Sequence, residues 1–420
     1  MRGTASVLAV AGALTAGAAH AEDITLTVWS HEADSKSKVA WRELAARNFE
    51  EAHPGVKVKI TWYQKEPLFS ALNTALRAGQ GPDAFYIERD RVEYITNGFV
   101  TPLNDLINWS SIKPWTKDVW TIDGKTYAVP QEVWTLENFF NETRMAELGI
   151  TLPDNKQLSQ TEYLELVKKS VAAGISPLAA GAGDRPYPGA YMTQELLLKR
   201  LGVDDYRALL DGKISYTDPR VIEVLGYVHQ LVEAGFYPKS FTTMTLAETW
   251  PYFEANPAAL MLIMGSFYAG HPFTSDVPDS FKLGVMKIPA LDNGVCNECK
   301  TAAVGASFAI NSNSEHKELV ADFLNEMATP EMGARWVKTV LLGTAVETGP
   351  IESDNPKMKA YLDEYNEANQ GAKYFIGAPH QYLTGSCKEA WAQIINVALP
   401  ANLISIEDTA ARLDQACYRP

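Results

Sequence analysis

Polar and aromatic side chains follow three predicted strands near the start of the chain, at the point where each strand ends. Carboxylates and amides bind sugar hydroxyls in a bidentate manner, and aromatic rings stack on the apolar face of a pyranose. Because ligands of open α/β sheets bind at the carboxyl ends of the strands, these residue types predict a site for a sugar-like ligand. The residues are Ser30, His31 and Glu32 after the first strand, Tyr63 and Gln64 after the second, and Glu88, Asp90 and Arg91 after the third.

No catalytic signature accompanies these residues. The chain has no Gly-x-Ser-x-Gly, no His-Glu-x-x-His and no phosphate-binding Gly-rich loop with a lysine. Its 7 histidines are scattered without metal-ligand spacing. We therefore expect a binding protein with no cofactor and no metal. An exported glycoside-processing enzyme is an alternative, because two distant carboxylates could meet in a cleft.

The elements that position these residues are predicted to alternate between strand and helix. Strands are predicted at 24–29, 56–62 and 84–87, from alternating apolar and polar residues or a short apolar run. Helices are predicted between them, at 38–52 and 67–78. This order predicts an α/β fold with a parallel sheet and helices on both faces.

Later segments give equally clear patterns. Asp218 is predicted to cap a helix that has proline at its first position. Continuous apolar runs predict buried strands at 258–264 and 303–310. A late amphipathic helix follows, which Ser314 is predicted to cap.

The N-terminal 21 residues predict export. An arginine precedes an apolar Ala/Gly/Leu/Val-rich run, and Ala19-His20-Ala21 has the small residues that a signal peptidase reads. The run is too short and too rich in alanine and glycine to span a bilayer. We expect a mature chain that begins near Glu22, and the absence of a cysteine there favours a Gram-negative periplasm over a lipid anchor.

Chain length and net charge limit the kinds of protein that this sequence can be. A chain of 420 residues is too long for one core and predicts two domains. The net charge of −14 repels nucleic acid and anionic lipid, so neither is an expected partner.

The cysteines predict disulfides, because an even number occurs in an exported chain. We favour the pairs Cys296–Cys299 and Cys387–Cys417, since each closes a local loop. A four-thiolate zinc site and a redox Cys-x-x-Cys pair, as in a thiol oxidoreductase, remain alternatives.

Five sequence segments occur in an order that resembles one known family. They are 49–58 (FEEAHPGVKV) after the first strand, 81–85 (GPDAF), 124–130 (GKTYAVP) leading to 139–141 (FFN), 253–261 (FEANPAALM) with 264–267 (MGSF), and 314–331. Together they resemble the extracellular solute-binding proteins of ABC transporters, in the branch that includes maltose- and other sugar-binding proteins.

The resemblance implies a two-lobed periplasmic-binding-protein fold, type II-like, with a hinge of crossing segments and a ligand cleft between the lobes. It places 22–129 and 288–345 in lobe 1, and 130–287 and 346–420 in lobe 2. It implies a monomer that captures a mono- or oligosaccharide and delivers it to the permease subunits of an importer. A polyamine-binding protein of the same fold is the alternative.

The resemblance also selects cleft residues, to which the strand-end argument adds Gln64. Phe267 stands at the main stacking position, where the family often has tryptophan. Arg185 replaces the acid of an acid-Pro-Tyr turn, so its polar partner in the ligand is expected to differ or to be anionic. The selected residues are His31, Asp90, Arg91, Trp134, Arg185, Tyr187, Phe267, Ser307 and Tyr382.

Overall fold

The predicted strands at the start of the chain form a sheet in which most strands run in the same direction. The structure, a computed structural model, describes residues 24–419 apart from 34, 186, 256–257, 275 and 350–354. The predicted signal peptide, 1–21, lies outside the described residues. Among the helices described, none is both long and apolar enough to cross a bilayer.

The strands are β1 (Ile24–Ser30), β2 (Val56–Trp62), β3 (Ala84–Ile87), β4 (Thr121–Ile122), β5 (Lys125–Thr126), β6 (Val129–Pro130), β7 (Glu132–Asn141), β8 (Ser176–Leu178), β9 (Ala259–Gly265), β10 (Leu283–Met286), β11 (Cys299–Val304), β12 (Ser307–Ile310), β13 (Gly343–Thr344) and β14 (Lys373–Ile376). The helices are α1 (Lys36–Ala52), α2 (Lys65–Arg77), α3 (Glu93–Thr96), α4 (Pro114–Val119), α5 (Glu142–Glu147), α6 (Gln160–Ala172), α7 (Tyr191–Leu210), α8 (Pro219–Glu233), α9 (Leu246–Glu254), α10 (His271–Thr274), α11 (Lys317–Met327), α12 (Pro330–Val340), α13 (Pro356–Asn369), α14 (Pro379–Tyr382), α15 (Gly385–Gln393) and α16 (Ile406–Cys417).

The first sheet has the strand order β2-β1-β3-β12-β6. β1 is parallel to β2 and to β3, with Val28 opposite Ile60 on one side and Ala84 on the other. This confirms the predicted parallel βαβ units. β12 closes the sheet in the antiparallel sense against β3 and β6.

The second sheet has the order β14-β11-β7-β9-β8 and is organised around the long strand β7. The first half of β7 pairs with β11 and β13, and its second half pairs with β9 and β10. β7 therefore joins four strands of the second sheet along its length.

Two hydrophobic cores surround these sheets, and we name the parts of the chain that form them the first and second lobes. The first core draws its buried residues from 26–129 and 306–346. The second core draws its buried residues from 134–303 and 358–417. Residues 288–303, assigned above to lobe 1, pack in the second core because they lead into β11 beside β7. We therefore propose the return boundary at 305 and keep the other predicted boundaries as proposals.

The lobes are joined where crossing segments bond to one another. The backbone N–H groups of Gln131 and Glu132 donate to the carbonyl of Ala306, at 2.9 and 3.1 Å. Gly305 N–H donates to the carbonyl of Glu132, and Ala345 N–H donates to that of Gln131, both at 2.9 Å. Three separate crossings of the chain thus meet at one place.

The predicted strand 303–310 is wrong as a single element. The structure divides it into β11 and β12, which belong to different sheets, because the chain crosses between the lobes at Gly305 and Ala306. A Cβ atom on Gly305 would lie 2.8 Å from Oε1 of Glu132. Any other residue here would have to displace this carboxylate from the crossing.

A buried group of four charged side chains, the hinge cluster, lies beside the crossings. It consists of Glu32, Lys38, Arg42 and Glu132. Arg42 Nη1 lies 2.6 Å from Glu32 Oε2, and Lys38 Nζ lies 2.8 Å from Glu132 Oε2 and also bonds Glu32. Burial opposes ionisation of Glu32, but the charges of Lys38 and Arg42 hold its pKa well below its ordinary value. The cluster ties the first loop of lobe 1 to the crossing strand.

The favoured disulfide pairs are confirmed. Cys296 is bonded to Cys299, and Cys387 in α15 is bonded to Cys417 in α16. No described cysteine is free, so the zinc alternative lacks the thiolates that it needs. The redox alternative stays a prediction, because an oxidised Cys-x-x-Cys pair is itself a disulfide.

The capping predictions have opposite outcomes. Asp218 caps α8 as predicted, since its carboxylate accepts from the N–H of Arg220 at 2.8 Å. Ser314 does not cap α11, because the helix begins at Lys317 and the Ser314 hydroxyl donates to Asp83 at 2.6 Å.

We predict that Arg42→Met lowers the free energy of unfolding by about 3–5 kcal/mol, because Glu32 loses one of its two buried cations. Urea denaturation measures the change. Arg47→Met, on the exposed face of the same helix, is the matched control and should shift the free energy by less than about 0.5 kcal/mol. Equal losses in the two variants would contradict an energetic role for the cluster.

The two disulfides are predicted to differ in their contribution to stability. Loop-closure entropy gives about 3–4 kcal/mol for the pair that spans 30 residues, Cys387–Cys417, and about 2 kcal/mol for the pair that spans 3. Denaturation of the two double Cys→Ser variants tests the order. A larger loss on removal of Cys296–Cys299 would contradict it.

Candidate ligand-binding site

A cavity of about 200 Å³ lies between the lobes and is lined from both of them. The wall from lobe 1 comes from the start of α2 and from the segment that follows β3. The wall from lobe 2 comes from the segment before α7 and from α14, α15 and the turn after them. The lining residues are Lys65, Glu66, Glu88, Asp90 and Arg91 in lobe 1, and Arg185, Tyr187, Pro379, His380, Leu383, Lys388, Trp391, Ala392 and Asn396 in lobe 2.

Lys65 and Glu88 form an ion pair in the wall of lobe 1, with Nζ and Oε2 2.7 Å apart. Burial opposes both charges, but each partner stabilises the other, which lowers the pKa of Glu88 to about 2 and raises that of Lys65 to about 12. The Tyr86 hydroxyl donates to the same carboxylate. Glu88 is thus an ionised group whose charge is already matched.

Asp90 and Arg91 retain hydrogen-bonding capacity at the cavity. Arg91 Nε lies 3.7 Å from Asp90 Oδ1, beyond hydrogen-bond distance, and the guanidinium sits 4.2 Å from the centre of the Phe69 ring. Both of these buried atoms lack a hydrogen-bond partner among the described residues. Lys388 Nζ approaches Asp90 Oδ2 to 3.8 Å from the opposite lobe. A ligand with hydroxyl groups could satisfy these atoms.

Aromatic rings form the floor on the side of lobe 2. The His380 imidazole is nearly parallel to the Tyr187 ring, with centroids 4.7 Å apart, and to the Trp134 ring, with centroids 6.5 Å apart. Burial, followed by the charge of Lys65, lowers the pKa of His380 to about 3. The imidazole is therefore neutral at ordinary pH and offers one donor and one acceptor.

Arg185 stands at the edge of this floor and is half-buried. Burial opposes its charge, but Tyr187 and Asp184 raise its pKa. No carboxylate of the described chain lies within ion-pair distance of its guanidinium.

Four of the predicted cleft residues line the cavity: Asp90, Arg91, Arg185 and Tyr187. Three others lie behind its walls.

Trp134 is buried on β7 and meets Phe267 edge to face at 6.1 Å. Phe267 packs against both cores. His31 meets Tyr86 edge to face at 5.0 Å, and burial lowers its pKa to about 4.

The remaining three predicted residues do not reach the cavity. Gln64 is exposed at the start of α2. Ser307 is fully buried, and its hydroxyl accepts from Nε1 of Trp120 at 2.9 Å, so it belongs to the core. The Tyr382 hydroxyl donates to Asp211 at 2.5 Å. Ser307 and Tyr382 are therefore held by hydrogen bonds within the protein, and Gln64 lies outside the cavity.

Other lining residues escaped the sequence argument. Lys65 and Glu66 directly follow Gln64, so the strand-end prediction ended two residues too early. His380 lies in the same short segment as Tyr382, where one aromatic side chain was chosen over its neighbour. Lys388, in α15, and Asn396, in the turn after α15, carry no local signal, because only the tertiary fold brings them to the cavity. Within the described ranges, no group of His, Cys, Asp or Glu side chains could hold a metal ion.

Comparisons with known proteins agree on one family. Residues 33–334 match the model of the bacterial extracellular solute-binding protein family. An uncharacterized ABC transporter extracellular-binding protein of Pyrococcus horikoshii is 24% identical over 334 residues, which are 77% of this chain and 72% of that protein.

Two further proteins have names that state a ligand. The lactose-binding protein of Rhizobium radiobacter is 25% identical over 190 residues, 44% of each chain. The structure of a chitin oligosaccharide binding protein superposes with a TM-score of 0.78 at 19% identity, covering 93% of this chain and 97% of that one. Since the family model spans well over half of the chain and the two-lobed fold accompanies it, this protein belongs to the bacterial extracellular solute-binding proteins.

Proposed function

We propose that the protein is the substrate-binding component of an ABC importer that captures a carbohydrate and delivers it unaltered to a membrane permease. The observation that carries the proposal is the cavity between the lobes, which combines charged groups from both walls with amide and aromatic groups from lobe 2. Lactose- and chitin-oligosaccharide-binding proteins among its relatives support a carbohydrate. The protein acts as a monomer in the periplasm, and residues 1–21 direct its export.

Each wall supplies a different part of sugar recognition. Asp90 and Arg91 bring unsatisfied charged atoms, which form the stronger, charge-assisted hydrogen bonds to hydroxyls. Tyr187 and His380 bring flat rings that can cover the apolar face of a pyranose. Several such contacts together can supply the roughly −8 kcal/mol that micromolar binding requires.

Ligand contacts from both walls explain how a permease would distinguish the ligand-bound protein from the empty one. A ligand shifts a conformational equilibrium only by its extra affinity for one state. Contacts to Asp90 from one lobe and Tyr187 from the other exist together only when the lobes are close. The hydrogen-bonded crossings at 131–132, 305–306 and 345 are the hinge about which closure would occur.

The charge of the cavity argues against a polyamine. Lys65, Arg91, Arg185 and Lys388 bring four cations to its walls, against three carboxylates. A polycation would add repulsion to each of them.

Native mass spectrometry of the protein purified without denaturation tests the proposal, together with a thermal-shift panel of sugars and spermidine. We expect a retained or stabilising carbohydrate, because a ligand that binds only the folded state raises its stability. Stabilisation by spermidine alone, or chemical turnover of a bound sugar, would overturn the proposal.

We predict that Tyr187→Ala weakens carbohydrate binding by about tenfold, or about 1.4 kcal/mol, through loss of a stacking ring. Isothermal titration calorimetry measures the change. Tyr374→Ala removes an exposed tyrosine of the same lobe and should bind as the wild type does. Wild-type affinity in Tyr187→Ala would exclude this ring from the site.

His380 is predicted to make stability depend on pH. Its folded pKa of about 3 lies below the ordinary value of 6.5, so between these values the unfolded chain binds a proton that the folded protein does not. The free energy of unfolding therefore falls as pH falls, by at most about 1.4 kcal/mol per pH unit for this proton. Denaturation at several pH values should show a smaller slope in His380→Gln. Identical slopes would show that His380 titrates normally.

A further inference from the structure

We propose that the captured sugar carries an acidic group, a carboxylate or a phosphate, and that Arg185 binds it. This inference rests on the proposed function and names the class of carbohydrate. It arises from the distribution of charge in the cavity, which differs from that of the whole chain. The protein has a net charge of −14, yet the cavity walls hold more cations than anions.

The carboxylates of the cavity already have cationic neighbours. Glu88 is paired with Lys65 at 2.7 Å. Asp90 lies between Arg91, at 3.7 Å, and Lys388, at 3.8 Å. The remaining carboxylate, Glu66, also lies 3.7 Å from Arg91.

Arg185 is the lining cation that takes part in none of these contacts with carboxylates. Its guanidinium is half-buried in the wall of lobe 2, and its neighbour Tyr187 forms part of the aromatic floor. Over the described ranges of the chain, no carboxylate forms an ion pair with it. The Tyr187 side chain hydrogen-bonds Arg185, and Asp184 and Glu88 favour its charge from beyond ion-pair distance.

Burial of a charge is unfavourable unless a partner is supplied. A neutral sugar enclosed beside Arg185 would bring its guanidinium no anion, whereas a carboxylate or phosphate would match the planar guanidinium with two parallel hydrogen bonds. Lys388 lies on the same wall and makes only a long contact of 3.8 Å, so it can contribute a second cation. The site would therefore favour an acidic sugar over a neutral one, because only the acidic sugar gives the Arg185 guanidinium an ion-pair partner.

The size of the cavity agrees with a short ligand. Its volume of about 200 Å³ is below the ~300–1,000 Å³ that is usual for drug-sized ligands. We therefore test monosaccharides first, in pairs that differ only in the acidic group.

The experiment is calorimetric titration of galactose against galacturonate and galactose 6-phosphate, and of glucose against glucuronate and glucose 6-phosphate. We expect one acidic member to bind at least about tenfold more tightly than its neutral partner. The uronate and the phosphate arms show which acidic group is preferred. Chitobiose and lactose are added as neutral ligands of two rings.

Variants assign the preference to Arg185. Arg185→Gln should reduce the acid-to-neutral affinity ratio by at least about tenfold, and Arg185→Lys should keep part of it because the charge remains. Arg412→Gln, an exposed position of the same lobe, is the matched control and should leave the ratio unchanged.

The two hypotheses fail differently. Tight binding of a neutral sugar without preference for its acidic partner would overturn this inference and leave the proposed function intact. A ratio that survives in Arg185→Gln would also overturn it. If no carbohydrate of either kind binds, both are overturned.

Discussion

The buried hinge cluster is the interaction on which the rest of the architecture depends. Glu32 follows β1 and adopts a positive φ of 77°, a conformation that non-glycine residues rarely hold. Its carboxylate is fixed by Lys38 and Arg42 from α1, and Lys38 extends the contact to Glu132 on the crossing strand. The charges are too deeply buried to be exchanged for water at little cost. The first loop of lobe 1 and the strand that enters lobe 2 are therefore positioned by the same four side chains.

The cavity is assembled by this positioning and not by any one segment. Its lobe 1 wall comes from residues 65–91, whereas its lobe 2 wall comes from 185–187 and from 379–396, far along the chain. Matched ions such as Lys65 and Glu88 make a rigid frame. Within that frame, Asp90 and Arg91 hold buried atoms that have no hydrogen-bond partner among the described residues. Selectivity then comes from a few unsatisfied groups on an otherwise satisfied surface.

Sequence patterns correctly predicted the features that depend on residues close together in the chain. Alternation and caps located β1, β2, β3 and α8, and loop length located the disulfides. The prediction of a single strand at 303–310 was wrong, because apolar content does not reveal that the chain passes from one sheet to the other at Gly305. Ser307 and Tyr382 were selected by the family resemblance, but Trp120 and Asp211 occupy their hydroxyls. Lys388 was missed because only tertiary packing brings it to Asp90.

The repeated crossing of the chain has a consequence for biogenesis. The core of lobe 1 includes residues 306–346, and that of lobe 2 includes 358–417. Neither half can complete its interior while only the preceding part of the polypeptide has been synthesised. Each core therefore stays incomplete until contacts with these late segments form. Loss of residues 358–420 would thus leave the core of lobe 2 open even though most of that lobe had been made.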